Sequence, residues 1–423
     1  MKRTNALILS MIILIISWNA TAFAQCGGVS PDHITLTWTG DTSRTMTITW
    51  RTNTSISAGY VQYERGDVVS SSAPRVKASL SAFRTNMGTS HLFSATLTGL
   101  SPGTTYSYKV GEGTHWSGTH SFTTANPKAH HFKFLVFGDS QSSSSGNPPY
   151  KSWMKTVHNA FNANPDARFM INLGDLVDTG QSNAHWNGWF NAAEGVIDTI
   201  PEMPVLGNHE TYGDSGKSKP EYFNAQFHLP QNGPEGLKNQ VYSFDYASVH
   251  FAVLDSQQSE EHAYGNILTP QRIWLESDLA ASKAKWKIVL FHKPPYGLTF
   301  IRSNSDVKSA FCSVIENQHA DVVFNGHDHG VGRTYPMMSE KRMQKPSQGT
   351  IYYITGRSGS KAYVFLQKMD WDSYFYNPQS QPNYMVVDVD DLRMEIKAYK
   401  QDGTLLDSFF IDKKTDQCGK SPK

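Results

Sequence analysis

Five apolar stretches of this chain each lead into polar residues that can bind a metal ion. Each stretch has the length of a single buried strand. In chain order the stretches are residues 132–137, 167–173, 203–206, 287–291 and 322–324. The polar residues that follow them are Asp139, Asp175, Asn208, His292, and the pair His327 and His329. A chain with this pattern must fold so that the ends of several buried strands carry polar side chains.

These strand ends are expected to converge. Binding sites of open α/β sheets form outside the carboxyl ends of the strands. A single aspartate after a strand is usually a helix cap, and a single histidine is usually structural. Six such residues at five strand ends are poorly explained by chance. His327 and His329 flank Asp328 and point to the same side of an extended segment. We therefore predict that the six side chains share one cleft.

The residue types of this cleft indicate its chemistry. Carboxylate, imidazole and amide groups without a thiolate suit iron, zinc or manganese. The number of candidate ligands exceeds what one ion needs, and so we predict two metal ions. His209 directly follows Asn208 and could bind metal or move protons near neutral pH. Gly207 precedes both residues and is expected to provide a positive φ in a sharp turn.

The first residues have the layout of a secretory signal peptide. Lys2 and Arg3 precede a short apolar run, and residues 22–24 give a cleavage site after Ala24. The apolar run is shorter than the roughly 20 residues that a membrane-spanning helix needs. The residues before Cys26 do not make a good lipoprotein signal. We expect a soluble protein that is secreted or periplasmic.

Composition constrains the remaining chain only loosely. Removal of residues 1–24 leaves about 400 of the 423 residues, a length that suggests two or three domains. The formal net charge of +1 gives no indication of a nucleic-acid or membrane surface. Three cysteines are too few for a disulfide scaffold. Cys26 and Cys418 could pair in an oxidising compartment, or both could be free thiols.

The periodicity divides the chain into two parts. Residues 31–125 contain short alternating strands typical of a β-sandwich. Residues 100–106 resemble the tyrosine corner of fibronectin type III domains. This domain has no cluster of titratable groups, which favours a structural or docking role. Strands alternate with helices over residues 130–412, with helices predicted at 150–163, 269–282 and 306–316. Residues 413–423 are predicted to be a C-terminal tail.

The order of the motifs resembles that of the calcineurin-like metallophosphoesterases. The motifs are Gly138-Asp139, Gly174-Asp175, Gly207-Asn208-His209-Glu210, His292 and Gly326-His327-Asp328-His329. With a fibronectin-like domain in front, the chain is most similar to the purple acid phosphatases over residues 31–412. The resemblance implies an α/β domain whose core is a two-sheet β-sandwich flanked by helices. It also implies a small phosphate-ester substrate, with a metal-bound hydroxide attacking phosphorus.

The resemblance also implies a role for each matching residue. Asp139, Asp175 and His329 would hold the first metal ion. Asp175 would bridge to the second ion, and Asn208, His292 and His327 would complete that site. His209 matches the histidine that donates a proton in this family.

Several positions depart from the purple acid phosphatase pattern. The family's tyrosine ligand is replaced by Asp178, so no purple colour is expected. We predict instead that Asp178 pairs with the catalytic His209, as in the serine/threonine phosphatase branch. Gln141 replaces a glycine and could offer a neutral oxygen to a metal, or could equally be a solvated loop residue. Arg333 could contact phosphate, although a surface salt bridge is favoured. The family's further histidines are missing near Ile301 and Arg302.

Two other functions remain open at this point. The same ions could serve a phosphodiesterase for nucleotides, lipids or nucleic acid. The loops at 212–220 and 361–382 would then bind the second ester group, although the aromatic residues of 361–382 could equally form a packed lid or a domain seam. The chain could also be a non-catalytic adhesion module, which fits poorly with a complete set of ligands.

Overall fold

The computed structural model describes residues 26–146, 148–213, 216–217 and 219–421. The signal peptide expected at residues 1–24 lies outside the described residues. None of the helices in the described part of the chain is long and apolar enough to cross a membrane.

The N-terminal region is entirely β. Its strands are β1 (Asp32–Thr37), β2 (Met46–Asn53), β3 (Tyr60–Arg65), β4 (Arg75–Lys77), β5 (Ser79–Thr85), β6 (Gly88–Leu97), β7 (Thr105–Glu112), β8 (His115–Trp116) and β9 (His120–Thr123). One sheet has the order β1-β2-β6-β5, and the other has the order β4-β3-β7-β8 with β9 paired to β7. The inward-facing side chains, Trp50 and Phe93 among them, fill the space between the sheets. The Tyr106 hydroxyl accepts a hydrogen bond from the Ser101 N–H at 2.9 Å, the contact expected of a tyrosine corner.

The second region alternates strands and helices. Its strands are β10 (His131–Phe137), β11 (Ala167–Asn172), β12 (Glu202–Pro204), β13 (Tyr212–Gly213), β14 (Gly216–Lys217), β15 (Tyr242–Tyr246), β16 (Val249–Val253), β17 (Trp286–Leu290), β18 (Val322–Asn325), β19 (Val331–Thr334), β20 (Met337–Met338), β21 (Lys341–Arg342), β22 (Ile351–Thr355), β23 (Asp372–Tyr376), β24 (Asn383–Asp390), β25 (Arg393–Lys400), β26 (Leu405–Asp412) and β27 (Gln417–Lys420). Its helices are α1 (Lys151–Ala163), α2 (Asn183–Ala193), α3 (Glu221–Gln226), α4 (Gln258–Glu261), α5 (Leu268–Ala281) and α6 (Ser305–Asn317). The three predicted helices are confirmed as α1, α5 and α6.

Two seven-stranded sheets form the core of this region. The first has the order β12-β11-β10-β24-β25-β26-β27, and the second has the order β15-β16-β17-β18-β22-β19-β23. Aromatic rings pack between the sheets; the Phe169 and Phe251 ring centroids, for example, lie 5.6 Å apart. Helix α1 covers the outer face of the first sheet, where Trp153 packs on Phe137. The predicted fold class, an all-β domain followed by a two-sheet α/β domain, is confirmed.

The two regions share a continuous core and direct hydrogen bonds. The Leu36 N–H donates to the Ile197 carbonyl at 2.9 Å. The Tyr108 hydroxyl donates to the Asp198 carbonyl at 2.7 Å. Because these bonds hold the β-domain against the segment that precedes β12, the domain supports the scaffold from which the Asn208 loop leaves.

Several expectations need correction. Part of the predicted tail at 413–423 is structured, because β27 (Gln417–Lys420) pairs with β26 and extends the first sheet. Strands β4 and β5 were not expected. The aromatic stretch at 361–382 contains β23, an edge strand paired with β19, and is therefore packed rather than an open loop. Cys26, Cys312 and Cys418 are all free thiols in the structure.

Candidate metal centre

The predicted ligands leave the sheets close to the ends of five strands. Asp139, Asp175 and Asn208 follow β10, β11 and β12, which run parallel to one another. His292 and His327 follow β17 and β18, a parallel pair of the second sheet. The carboxyl ends of both sheets therefore deliver these side chains to one edge of the sandwich, as the apolar stretches predicted.

The side chains form two overlapping groups. Asp175, His292 and His327 place one ligand atom each within 4.8 Å of one another, and so do Asp139, Asp175 and His329. Asp175 belongs to both groups, the position of a ligand shared by two ions. The Asn208 Oδ1 lies 3.2 Å from the His292 Nε2 and so joins the first group.

The protonation pattern of the histidines suits a metal. The His292 Nδ1 donates to the Leu173 carbonyl at 2.7 Å, and the His329 Nδ1 donates to the Lys361 carbonyl at 2.6 Å. Each ring therefore presents the Nε2 lone pair, as metal-binding imidazoles do. The buried His329 Nε2 has no hydrogen-bond donor and lies 3.1 Å from the Asp139 Oδ1. Two lone pairs at this distance repel each other unless a cation or a proton lies between them, and so the residues fit a bound metal ion.

The electrostatics of the cluster also favour positive charge. Burial would lower the pKa of His292, but the Asp175 and Asp139 carboxylates raise it to about 9. Burial and the neighbouring His292 lower the pKa of His327 well below its usual range. Burial would raise the pKa of Asp175, but the neighbouring His292 and His209 lower it well below the usual range. Without a metal, the cluster thus favours a second proton on His292, at the Nε2 that faces Asp175 and that would otherwise offer its lone pair to a metal ion.

Four of the ligand residues have a left-handed backbone. The φ angles are 54° at Asp139, 52° at Asp175, 71° at His327 and 57° at His329. Such conformations are uncommon outside glycine and cost on the order of 1–3 kcal/mol each. Their concentration in one cluster indicates that the surrounding structure holds these side chains in place for a function.

Glu210 supports the loops that carry these ligands. Its buried carboxylate accepts hydrogen bonds from the N–H groups of Asp175, Leu176 and Gly207 at 2.8–2.9 Å. Burial and the Asp175 charge raise the pKa of Glu210 to about 8. Gly207 does not have the positive φ that we expected. It is needed for close approach instead, because a Cβ there would lie 2.1 Å from the Asp175 nitrogen.

His209 lies at the edge of the cluster. Its N–H donates to the Asp175 Oδ1 at 2.8 Å, and its ring Nδ1 donates to the Asp178 carbonyl at 2.7 Å. The ring Nε2 lies 3.8 Å from the Asp175 Oδ2 and therefore faces the cluster. Burial, partly offset by Asp175, lowers the pKa of His209.

The expected pairing of the Asp178 carboxylate with His209 is wrong. The main-chain carbonyl of Asp178 makes that contact. The carboxylate instead accepts hydrogen bonds from the Ser142 N–H, the Ser142 hydroxyl and the Ser143 N–H at 2.8–2.9 Å. The loop after Asp139 thus satisfies the carboxylate and turns it away from the ring. Asp178 therefore positions His209 only through its backbone.

Gln141 is buried rather than solvated. Its Nε2 donates to the Asp175 Oδ2 at 2.8 Å, and its Oε1 is buried without a hydrogen-bond partner. The side chain therefore touches the shared carboxylate and has a free oxygen. Its role as a metal ligand stays a prediction.

Arg333 does not take part in the site, and the expectation of a phosphate contact or a surface salt bridge is wrong. Its side chain is buried, with the Nε 3.1 Å from the Asp407 Oδ2 and the Nη1 2.7 Å from the Ser373 hydroxyl. The guanidinium also lies 3.8 Å from the centroid of the Phe409 ring. The side chain points between the two sheets because β19 faces Asp407 of β26.

Two other cations lie beside the cluster. The Arg302 Nη1 donates to the His327 carbonyl at 2.9 Å, and its guanidinium lies over the Tyr363 ring. The Lys361 Nζ lies 2.9 Å from the His209 Nε2. Sequence reasoning missed both, because neither follows a predicted strand.

Comparisons with known proteins match both parts of the chain. Residues 31–124 match the family model described as the N-terminal domain of purple acid phosphatase. Residues 132–331 match the model described as calcineurin-like phosphoesterase.

Individual relatives are distant. Purple acid phosphatase 15 of Arabidopsis thaliana is 23% identical over 68% of this chain and 57% of that protein. Phosphoenolpyruvate phosphatase of Allium cepa is 26% identical over 66% of this chain and 58% of that protein. The chain spans about half the length of the curated relatives it matches.

The fold also matches a solved structure. A purple acid phosphatase isolated from yellow lupin (Lupinus luteus) seeds superposes with a TM-score of 0.74, at 20% sequence identity. The match covers 93% of this chain and 77% of the lupin chain.

Proposed function

We propose that the chain hydrolyses phosphate monoesters with two metal ions. Residues 132–331 match the calcineurin-like phosphoesterase model, and residues 31–124 match the N-terminal domain of purple acid phosphatase. The observation that carries this proposal is the pair of ligand groups sharing Asp175. A carboxylate common to both groups, with an imidazole lone pair that no donor satisfies, fits two cations better than it fits a structural network.

The assignment of ligands follows the two groups. Asp139, Asp175 and His329 would hold one ion. Asp175, Asn208, His292 and His327 would hold the other. Gln141 would offer its free Oε1 as a neutral oxygen. Iron, zinc and manganese all suit this mixture of carboxylate, imidazole and amide ligands.

The chemistry divides between the ions and the chain. When bound, two such ions polarise the phosphoryl oxygens and make water acidic enough to supply the nucleophile. The backbone of Asp178 fixes the proton of His209 on Nδ1, which leaves Nε2 facing the cluster. In its imidazolium form the ring carries a second proton on Nε2, and His209 would give that proton to the leaving alkoxide, as a general acid does. Glu210 would hold the Asp175 and Asn208 loops in place relative to each other through its hydrogen bonds to both.

We also propose that the protein is exported. The support is the charged, apolar and small-residue pattern of residues 1–24. Mass spectrometry of the mature protein should find Gln25 as the first residue. An N-terminus that retains residues 1–24 would contradict export by cleavage.

Hydrolysis is tested with purified protein loaded separately with iron, zinc or manganese. At least one metal should support release of phosphate from monoesters, and a chelator should abolish it. His327→Ala should lower both metal content and activity without loss of the fold, as circular dichroism would show. A variant with full metal content and the wild-type rate would contradict the assignment. The adhesion alternative predicts no hydrolysis with any metal.

A further inference from the structure

Lys361 is held beside the metal centre by its own backbone. The Lys361 carbonyl accepts the Nδ1 proton of His329 at 2.6 Å. The two residues before it run along the Asp139 loop, where the Ser360 N–H donates to the Gln141 carbonyl at 2.9 Å and the Gly359 N–H donates to the Asp139 carbonyl at 3.0 Å. The segment is thus anchored to the ligand loops at three successive residues.

Gly359 permits this close approach. A Cβ at this position would lie 2.1 Å from the Gln141 carbonyl oxygen. Only glycine lets the two backbones run this close together. The position of Lys361 relative to the metal ligands is therefore fixed by the fold rather than by a free loop.

Lys361 makes no direct ion pair with a carboxylate in the described part of the chain, although its charge acts on nearby Asp175. It is only partly exposed, and among the described residues no carboxylate lies within ion-pair distance of its Nζ. Its hydrogen-bond partner is the His209 Nε2 at 2.9 Å. Since the His209 Nδ1 proton goes to the Asp178 carbonyl, Nε2 has the lone pair that accepts the ammonium proton. The ammonium also lies over the Tyr363 ring, 5.6 Å from its centroid. A half-buried cation whose contacts are a neutral imidazole and an aromatic ring is suited to receive an anion.

Arg302, the other cation beside the cluster, has different contacts. The Arg302 Nη1 is bonded to the His327 carbonyl and lies 3.6 Å from the Asp328 Oδ1. Its guanidinium is also stacked over Tyr363 at 4.5 Å. Arg302 is therefore engaged by the Asp328 carboxylate and a backbone carbonyl, whereas Lys361 has neither kind of partner among the described residues and remains available to a substrate.

We propose that Lys361 binds the phosphoryl group and makes the site selective for monoesters over diesters. The inference rests on the proposed function and names the substrate class of the same site. The two metal ions could bind two of the non-ester phosphoryl oxygens. They could instead bind one of these oxygens and the nucleophile. A monoester dianion has a further charged oxygen that can accept a proton from Lys361. A diester has one non-ester oxygen fewer and one negative charge fewer, so its bond to Lys361 is weaker or competes with its contacts to the ions.

The exchange of partners has a consequence for His209. When the Lys361 ammonium turns to a phosphoryl oxygen, the His209 Nε2 loses its present hydrogen-bond donor. That atom is then no longer blocked by the ammonium. Lys361 would thus couple binding of the dianion to exposure of the acid–base group, and its own contact is with the substrate rather than with a metal.

The test compares two substrates that share a leaving group, 4-nitrophenyl phosphate and methyl 4-nitrophenyl phosphate. The 4-nitrophenolate group leaves without a proton, which removes the contribution of His209. Lys361→Met should lower kcat/KM for the monoester on the order of 10–100-fold, the range for loss of one charge-assisted hydrogen bond. The diester should change by less than about threefold, and Lys361→Arg should recover part of the monoester activity.

Lys368→Met is the matched control, because Lys368 is exposed on the same segment and has no contact with the cluster. It should leave both substrates unchanged. Metal content should be equal in all variants. Equal losses for the monoester and the diester, or no loss for either, would overturn the role of Lys361.

A binding measurement separates this inference from the proposed function. Inorganic phosphate is titrated into metal-loaded wild-type protein and into Lys361→Met by calorimetry. Weaker phosphate binding by the variant supports the role of Lys361 even if neither ester is hydrolysed. Equal binding by the two proteins overturns it, whatever the catalytic result.

Discussion

Two groups of histidines and aspartates among the described residues, one around His250 and one at the candidate metal centre, differ in one respect. In the first, the His250 group, the ring Nδ1 lies 2.7 Å from the Asp245 Oδ1 and the Nε2 lies 2.7 Å from the Asp278 Oδ2. The Ser243 hydroxyl donates to the other oxygen of Asp278. Both ring nitrogens have a carboxylate of opposite charge as a partner. We call this group complete because neither ring nitrogen lacks a partner within the protein.

The metal centre has the same residue types but is incomplete, because some of its buried polar atoms have no partner within the protein. The His329 Nε2 and the Gln141 Oε1 are buried without hydrogen-bond partners. The His292 Nε2 and His327 Nδ1 lie 3.2 Å apart, so at most one proton fits between them. Composition therefore does not distinguish a structural cluster from a metal site. The distinction comes from whether each buried polar atom finds its partner within the protein.

The largest effect should come from removing the charge of the shared ligand. Asp175→Asn keeps the shape of the side chain but weakens both groups at once. Metal content should fall for both ions, and hydrolysis should fall by more than the roughly 10²–10⁴-fold that one acid–base group contributes. Metal analysis and phosphate release measure the two effects.

His250→Gln is the matched control for this experiment. It changes the complete group and should leave metal content and hydrolysis near wild type. Equal metal loss in the two variants would contradict the claim that only the incomplete group binds metal.

The next largest effect is expected at His209. His209→Ala should retain the metals and lower kcat on the order of 10²–10⁴-fold for esters of poor leaving groups. The loss should shrink for 4-nitrophenyl phosphate, whose leaving group needs no proton. The same loss for good and poor leaving groups would contradict proton donation by His209.

The His250 group should affect stability and not catalysis. Burial would lower the pKa of His250, but Asp245 and Asp278 raise it to about 9. A pKa raised in the folded state stabilises the protein fully below pH about 6.5 and loses that contribution as the pH rises to about 9. The contribution is at most about 3 kcal/mol, and less than that because exposed Asp245 is screened by solvent.

Urea unfolding at pH 6 and pH 10 tests this effect. The wild-type protein should lose more free energy of unfolding between these pH values than His250→Gln loses. Parallel pH dependences of the two proteins would show that the His250 group does not carry a charge in the folded state.

The smallest effect is an expected absence of colour in iron-loaded protein. A tyrosinate bound to ferric iron absorbs visible light, and the matching position here is Asp178. Tyr212 and Tyr363 both lie beside ligands. The Tyr212 hydroxyl is 2.8 Å from the Asn208 Nδ2, and the Tyr363 ring packs on His329. Burial raises the pKa of Tyr212 to about 12, which opposes formation of a phenolate. A strong visible band that disappears in Tyr212→Phe would show that Tyr212 completes the site.

The sequence predicted those parts of the site that follow strands. Asp139, Asp175 and His292 come within a few residues of buried apolar runs, and the shared edge of parallel strands brings them together. Local pattern and general topology were enough for these ligands. The sequence also indicated that the turn needs a glycine at Gly207. The reason is close packing against Asp175 and not a positive φ.

The remaining parts depend on contacts that no local pattern records. The direction of the Asp178 carboxylate is set by donors of the Ser142 loop, which lies far away in the sequence. Arg333 is buried because β19 happens to face Asp407 of β26. Lys361 reaches His209 only because a glycine allows its segment to run along the Asp139 loop. Each of these outcomes is decided by tertiary packing around a side chain of ordinary type.

The central claim is that the incomplete cluster holds two metal ions, and anomalous diffraction from crystals of metal-loaded protein tests it most directly. The account predicts two peaks about 3.5–4 Å apart. Asp175 should contact both, with Asp139 and His329 at one peak and Asn208, His292 and His327 at the other. A single peak, a peak at the His250 group, or no peak in the cluster after loading would contradict it.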